Sequence, residues 1–200
     1  MPSATASAPA PIVSAVLPEQ GTSRMIMYFM LAFSGSILLW VSAKISVPFI
    51  PVPMTMQTLA VMVLASTYGF RLGLAAALLY VLEGALGLPV FATSPERGIG
   101  LAYMMGPTGG YIVGFVLAVG FVGWFAERGA DRSFIRSFVI MSLGSAIVLG
   151  LGFAWLSRYL GVPMAFTSGV LPFVVGDLFK IAIAALLVPM IGRIFRPRQG

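Results

Sequence analysis

Apolar residues run along this chain in six long blocks, at about 25–43, 57–70, 72–88, 109–126, 137–156 and 170–192. Charged positions fall mostly between them. A helix crossing a bilayer needs about 20 predominantly apolar residues, with a range of about 17–25. The second block is shorter than that, so it must tilt little, lean on its neighbours or borrow residues from the loop before it. The pattern predicts an all-α, polytopic membrane domain over 25–195 with six transmembrane helices. Residues 1–24, "MPSATASAPAPIVSAVLPEQGTSR", are rich in Ala, Pro and Ser and read as a flexible cytoplasmic tail. They lack the basic stretch followed by a long apolar core that marks a cleaved signal peptide. Residues 196–200 read as a short cytoplasmic C-terminal tail.

The connections differ on the two sides of the bundle. "SVPFIPVPMT" (46–55) crowds three prolines between Pro48 and Pro53 and predicts a stiff, extended loop. "GLPVFATSPERGIGLAYMMGPTGG" (87–110) is long and mixes glycines with aromatics, as lids and binding loops do. Both connections lie on one side. Placing the N-terminus inside the cell puts Arg24, Arg71, Arg128, Arg132, Arg136, Arg193, Arg196 and Arg198 on the cytoplasmic side. Lys44, Arg97 and Arg158 then fall outside. This is a positive-inside distribution with both termini cytoplasmic and elaborate external loops.

Composition agrees with a lipid solvent. Of 200 residues, 59% are hydrophobic and 9% charged, against roughly 25% charged in a soluble domain. The net charge of +6 sits next to apolar spans, where it meets anionic lipid; no basic, aromatic-interleaved surface suggests nucleic acid. The chain has no cysteine and no histidine, which removes thiol chemistry, disulfides, a Ser–His dyad and His- or Cys-based metal sites. The two aspartates are Asp131, in a charged loop, and Asp177, so an intramembrane aspartyl dyad is disfavoured. No Walker A motif is present, so ATP hydrolysis must come from elsewhere. No internal repeat with paired broken helices is visible, which argues against a self-sufficient alternating-access carrier.

The informative exceptions are charges inside the apolar blocks. "PFVVGDLFK" (172–180) places Asp177 and Lys180 three residues apart, on one helix face. At about 1.5 Å per residue they lie roughly 10 and 15 Å below the outer end of the last helix. A charge near mid-depth costs about 2.5–3.5 kcal/mol, so both must face protein or a water-filled cavity. Two readings stand: an ion pair that locks helices, or the polar wall of a ligand cavity. Glu83 either lines the same cavity or bonds a neighbouring helix. "MGPTGGY" (105–111) suggests a helix start with Thr108 as cap, and with Gly109 and Gly110 permitting close approach to the backbone. Tyr111 follows with an aromatic face and a hydroxyl. In "PVPMTMQT" (51–58), Thr55 and Gln57 either cap a helix or point into the cavity. In the first block Ala32 and Ser36 form a small-x-x-x-small pair beside Gly35, a pattern for close helix contact.

"PVPMTMQT", "GALGLPVFA", "GPTGGY" and "PFVVGDLFK", in this order and spacing, closely resemble the BioY family of biotin-specific substrate-binding components of energy-coupling factor (ECF) transporters. The likeness spans about 25–195. It implies a six-helix fold in the bacterial plasma membrane, with biotin bound near the outer surface under the external loops. It implies no cofactor and no catalytic activity. The implied partners are biotin, a transmembrane coupling subunit and two cytoplasmic ATPases, with the bilayer around them. The family's polar pair on the last helix matches Asp177 and Lys180, and its Gly-Gly-Tyr helix start matches Gly109, Gly110 and Tyr111. Its small residues for the coupling subunit match Ala32 and Ser36. Many members carry an asparagine shortly after the motif that here reads "PVFA"; here Thr93 and Ser94 follow, and that ligand contact is not carried over. Biotin's ureido group, apolar ring and acid suit a cavity with one carboxylate, one ammonium, a few amides or hydroxyls, and aromatic walls such as Phe91. Asp177 is assigned to the ring end, and Arg97 is a candidate for the acid. A binding component for another vitamin and a stand-alone biotin carrier are the alternatives.

Overall fold

A computed structural model describes residues 10–18 and 20–195. Seven α-helices run through them: α1 (Thr22–Lys44), α2 (Gln57–Ala85), α3 (Gly100–Met104), α4 (Gly109–Ala126), α5 (Phe134–Leu160), α6 (Val162–Gly169) and α7 (Leu171–Phe195). Two short strands, β1 (Ser46–Val47) and β2 (Met54–Thr55), pair antiparallel with Ser46 opposite Thr55. The proline-rich connection is thus a small hairpin folded over the end of the bundle. Five helical stretches are long and apolar enough to cross a membrane. Large apolar side chains such as Phe29, Ile135, Val175 and Phe179 remain exposed on the outside of the bundle. In water such a surface would aggregate; against lipid it is the expected finish.

The second and third apolar blocks form one helical stretch, α2, broken at Gly69. A straight helix would hold Gln57 and Tyr80 about 34 Å apart. Instead the Gln57 side-chain amide donates to the Tyr80 hydroxyl over 2.9 Å, so the two arms of α2 lie antiparallel. The turn is Gly69 itself, with φ +76° and ψ −170°, a conformation closed to residues with a Cβ. Breaking the helix frees a backbone donor, and the Phe70 N–H is satisfied by the Glu127 carboxylate at the end of α4, 2.9 Å away. This folding-back gives the short second block its support.

The hairpin of α2 is the centre of the molecule. It packs against α1 on one side and α4 on another, while α4 in turn packs on α5, and α7 fills the space between α2 and α5. Small residues set these approaches, with Gly35 against Ala76 and Leu64, and Gly114 against the Val148 backbone. The core combines aliphatic residues such as Leu64, Val119, Met141 and Val188 with the buried rings of Tyr80, Phe91 and Tyr111.

The N-terminal segment differs in part from the expected flexible tail. Residues Ile12–Val16 form a 3-10 turn, and Ile12 and Val13 are buried, Val13 against Ala32 and Leu72. An apolar "PIV" inside a polar context finds a place on the bundle because burial stabilises it. Residues 1–9, Glu19 and 196–200, with Arg196 and Arg198, lie outside the described residues.

Candidate ligand site

One end of the bundle gathers the β-hairpin, the 86–108 loop with α3, the start of α4, α6 and the start of α7. Beneath them lies a small, partly open cavity of about 50 Å³. Asp177 and Lys180 enter from α7, Gln57 and Tyr80 from the two arms of α2, and Tyr111 from α4. Phe91 and Ala92 of the long loop cover it, with Tyr103 of α3 and Thr55 of β2 at the rim. Ile112, Phe115, Val148, Leu149 and Phe173 supply an apolar floor and sides.

The α7 residues Asp177 and Lys180 form an ion pair and both border the cavity. The Lys180 ammonium donates to Asp177 Oδ1 at 3.1 Å, and the Ser145 hydroxyl of α5 donates to Oδ2 at 3.1 Å. Both charged residues are buried, at 3% and 7% exposure, yet both border the void. The ion pair, with Ser145, therefore ties α7 to α5 and also lies at the cavity wall. Taking charges out of water is expensive, and this arrangement offsets the cost through mutual attraction and an added hydrogen bond.

Opposite this pair, the Tyr80 hydroxyl receives from Gln57 and donates to the Val90 carbonyl at 3.2 Å. Thr55 Oγ1 accepts from the Gln57 backbone N–H at 3.2 Å and donates to Gln57 Oε1 at 3.5 Å. Gln57 is thus held at both ends of its amide, and its carbonyl oxygen keeps one lone pair beyond the long bond from Thr55. The Phe91 ring stacks on Tyr103, 5.0 Å between centroids, and meets Tyr80 edge-on at 5.5 Å. These three rings form the aromatic side of the cavity. The Tyr103 hydroxyl donates to the Ala92 carbonyl at 2.7 Å, and burial raises its pKa above the usual tyrosine value, which keeps the donor proton in place.

Of the sequence candidates, Asp177, Lys180, Gln57, Thr55, Phe91 and Tyr111 come together at the cavity. Tyr111 brings its ring, while its hydroxyl is committed to the Gly169 carbonyl at 2.7 Å. Gly109 and Gly110 do not line it. A Cβ at Gly109 would meet the Met104 carbonyl, and one at Gly110 would meet Trp155 and the Leu151 carbonyl, so both serve close packing. Thr108 makes no side-chain cap and instead borders the void. The backbone N–H groups of Gly109, Tyr111 and Ile112 at that helix start are taken by the Gly106 and Thr108 carbonyls.

Glu83 faces α1, where it accepts from the Ser36 hydroxyl. Arg97 is exposed, donates to the Pro51 carbonyl at 3.0 Å, and lines an outer cavity of about 310 Å³ that shares Tyr103 and Thr108 with the inner one. Ala32 and Ser36 are turned inward: Ala32 packs with Val13 and Leu72, and Ser36 is fully buried. Their small size serves the contact of α1 with α2 within this chain. Tyr80 and Tyr103 are the site residues that the sequence reading lacks. The available signal is a hydroxyl inside an apolar run, which must find a partner when buried.

A part-polar cavity closed by loops at one end of an apolar helix bundle defines a multi-pass membrane protein shaped to hold a small molecule. The chain belongs to the BioY family, whose model matches residues 13–197. A protein of Pyrococcus horikoshii named "Probable biotin transporter BioY" is 39% identical over 147 residues, 74% of this chain and 85% of the relative. The "Biotin transporter BioY" of Thermotoga maritima is 39% identical over 151 residues, 75% of this chain and 86% of the relative. The fold matches a solved structure described as the S-component for biotin from an ECF-type ABC transporter, with a TM-score of 0.75 at 22% identity, covering 87% of this chain and 95% of that one.

Proposed function

We propose that this chain is the biotin-capturing membrane subunit of an ECF-type uptake transporter. The observation that carries the reading is the pairing of a buried Asp177–Lys180 couple with Gln57 across a cavity walled by aromatic rings. Asp177 accepts from ureido N–H groups, and the Gln57 carbonyl offers a further acceptor near the same ring. Lys180 meets an oxygen of the ligand, and the apolar sides hold the thioether ring and chain. Placing a second carboxylate beside Asp177 would be repulsive, so the ligand's acid points toward the outer cavity and Arg97. Gly109, Gly110 and Glu83 support the site from outside.

The two arms of α2 together with α1, α4, α5 and α7 make six crossings. Both termini then lie in the cytoplasm of a bacterial plasma membrane. Arg24, Arg71, Arg128, Arg132, Arg136 and Arg193 sit at the end of the elements opposite the cavity, which favours this orientation. The cavity then lies at the outer face, beneath the external loops. Release inside then requires a transmembrane coupling subunit and two cytoplasmic ATPases, and the chain itself binds without catalysis. The names of the relatives and of the solved S-component support this assignment.

The test is to purify the chain from biotin-containing medium and look for the vitamin by mass spectrometry, followed by calorimetric titration against a panel of vitamins. Co-purified biotin and selective binding are the expected results. Tighter binding of another vitamin, or no binding, would overturn the assignment.

A further inference from the structure

We propose that Lys44 is a positioning residue that clamps the roof of the cavity to the end of α1, so that ligand release requires this clamp to break. This rests on the ligand-binding reading above. The roof is the segment 90–94, in which Phe91 and Ala92 line the void. The Lys44 ammonium donates to the Phe91 carbonyl at 3.0 Å, the Ser94 carbonyl at 2.7 Å and the Ser94 hydroxyl at 3.1 Å. All three donors of an ammonium are thereby used on one short stretch of chain, on two carbonyls and one hydroxyl. Hydrogen bonds from a charged donor are roughly twice as strong as neutral ones.

Thr93 lies between the clamped residues with φ +52°, the left-handed region that a β-branched residue rarely enters. Such a conformation persists only where its surroundings over-determine it. Here the surroundings are Lys44 on Phe91 and Ser94, the Tyr103 hydroxyl on Ala92, the Ser94 N–H and hydroxyl on the Phe91 carbonyl, and the Arg97 N–H on the Thr93 carbonyl. Removing the ammonium takes away the charged tie from α1 and leaves this side of Thr93 to its local turn bonds. The backbone then relaxes out of the left-handed region, the Phe91 and Ser94 carbonyls turn, and the Phe91 ring leaves its stack with Tyr103.

The origin of the clamp matters as much as its strength. Tyr80 also holds the roof, through the Val90 carbonyl, but it stands on α2 at the centre of the bundle. Lys44 is the last residue of α1, a peripheral helix that packs on α2 and β2 and leaves most of its apolar surface exposed. A shift of α1 against α2 therefore pulls directly on the roof, while the floor formed by α4, α5 and α7 stays in place.

The experiment compares wild type, Lys44→Met and Lys44→Arg by backbone hydrogen–deuterium exchange without ligand, and by rates of biotin association and dissociation. Lys44→Met is expected to speed exchange in the roof by about tenfold, with α4 and α5 unchanged, and to speed biotin dissociation by about tenfold without slowing association. Lys44→Arg, which keeps the charge and donors, is expected to restore both. If Lys44→Met does not fold, Lys44→Gln, which keeps a donor without the charge, is measured in its place. Roof exchange at the wild-type rate, or a rise spread evenly over the whole bundle, would overturn the clamp. So would unchanged dissociation from a wild type that binds biotin. If the wild type binds none, the functional assignment fails by itself, and the ligand-free exchange still decides the clamp.

Discussion

Ser145 on α5 donates to the carboxylate oxygen of Asp177 that Lys180 leaves open, so three polar groups on two helices close into one buried network beside the cavity. The carboxylate is oriented by two partners before any ligand arrives. Preorganisation of this kind reduces the ordering cost of binding. It also couples the stability of the bundle to the site, because the same atoms serve both.

Removing one partner tests this coupling. Asp177→Asn is expected to weaken biotin binding by about tenfold or more, and to destabilise the bundle by about 3–5 kcal/mol because the Lys180 charge is left buried without its partner. The double variant Asp177→Leu/Lys180→Met removes both charges and should recover the stability while binding stays lost. Calorimetric titration alongside thermal unfolding reads both. A double variant that binds biotin as wild type does would reduce the pair to a helix lock.

Gln57 acts from the opposite wall. Gln57→Met keeps the volume and removes the amide, and Tyr80 retains its bond to the Val90 carbonyl. The expected loss of affinity is about 1–3 kcal/mol, the usual cost when a buried polar partner goes unmatched. A dissociation constant within about twofold of wild type would take Gln57 out of the site.

The inward setting of Ser36 gives a contrasting expectation. Ser36→Ala removes the hydroxyl that Glu83 accepts from and should lower thermal stability by about 1–3 kcal/mol. Biotin affinity of the purified chain should not change, since neither residue reaches the cavity. A selective loss of affinity at unchanged stability would contradict this placement.

Gly110→Ala examines packing against ligand contact. Its added Cβ would run into Trp155 and the Leu151 carbonyl. Overpacking of this kind typically costs about 1–3 kcal/mol, so unfolding should occur at lower temperature. Full stability combined with weakened binding would show that the glycine serves the ligand directly.

The apolar pattern determined much of this protein by itself. Block lengths and arginine placement announced a helical membrane protein, because lipid tolerates only segments that satisfy their own backbone. The charges at Asp177 and Lys180 announced a buried polar pair turned away from lipid, because their burial cost demands a partner. What pattern could not decide was direction around each helix. Glu83, Ala32 and Ser36 are of the right types, yet the structure aims them at a neighbouring helix or the interior of the α1–α2 contact. Tyr80 lies 23 residues from Gln57 along the chain, and the fold-back at Gly69 brings them together. By sequence Lys44 is a flanking charge; the fold passes the long loop over it, at Phe91 and Ser94. Block lengths and charge placement follow from the membrane alone; which side chains meet follows from how the helices turn against one another, and local sequence does not encode that rotation.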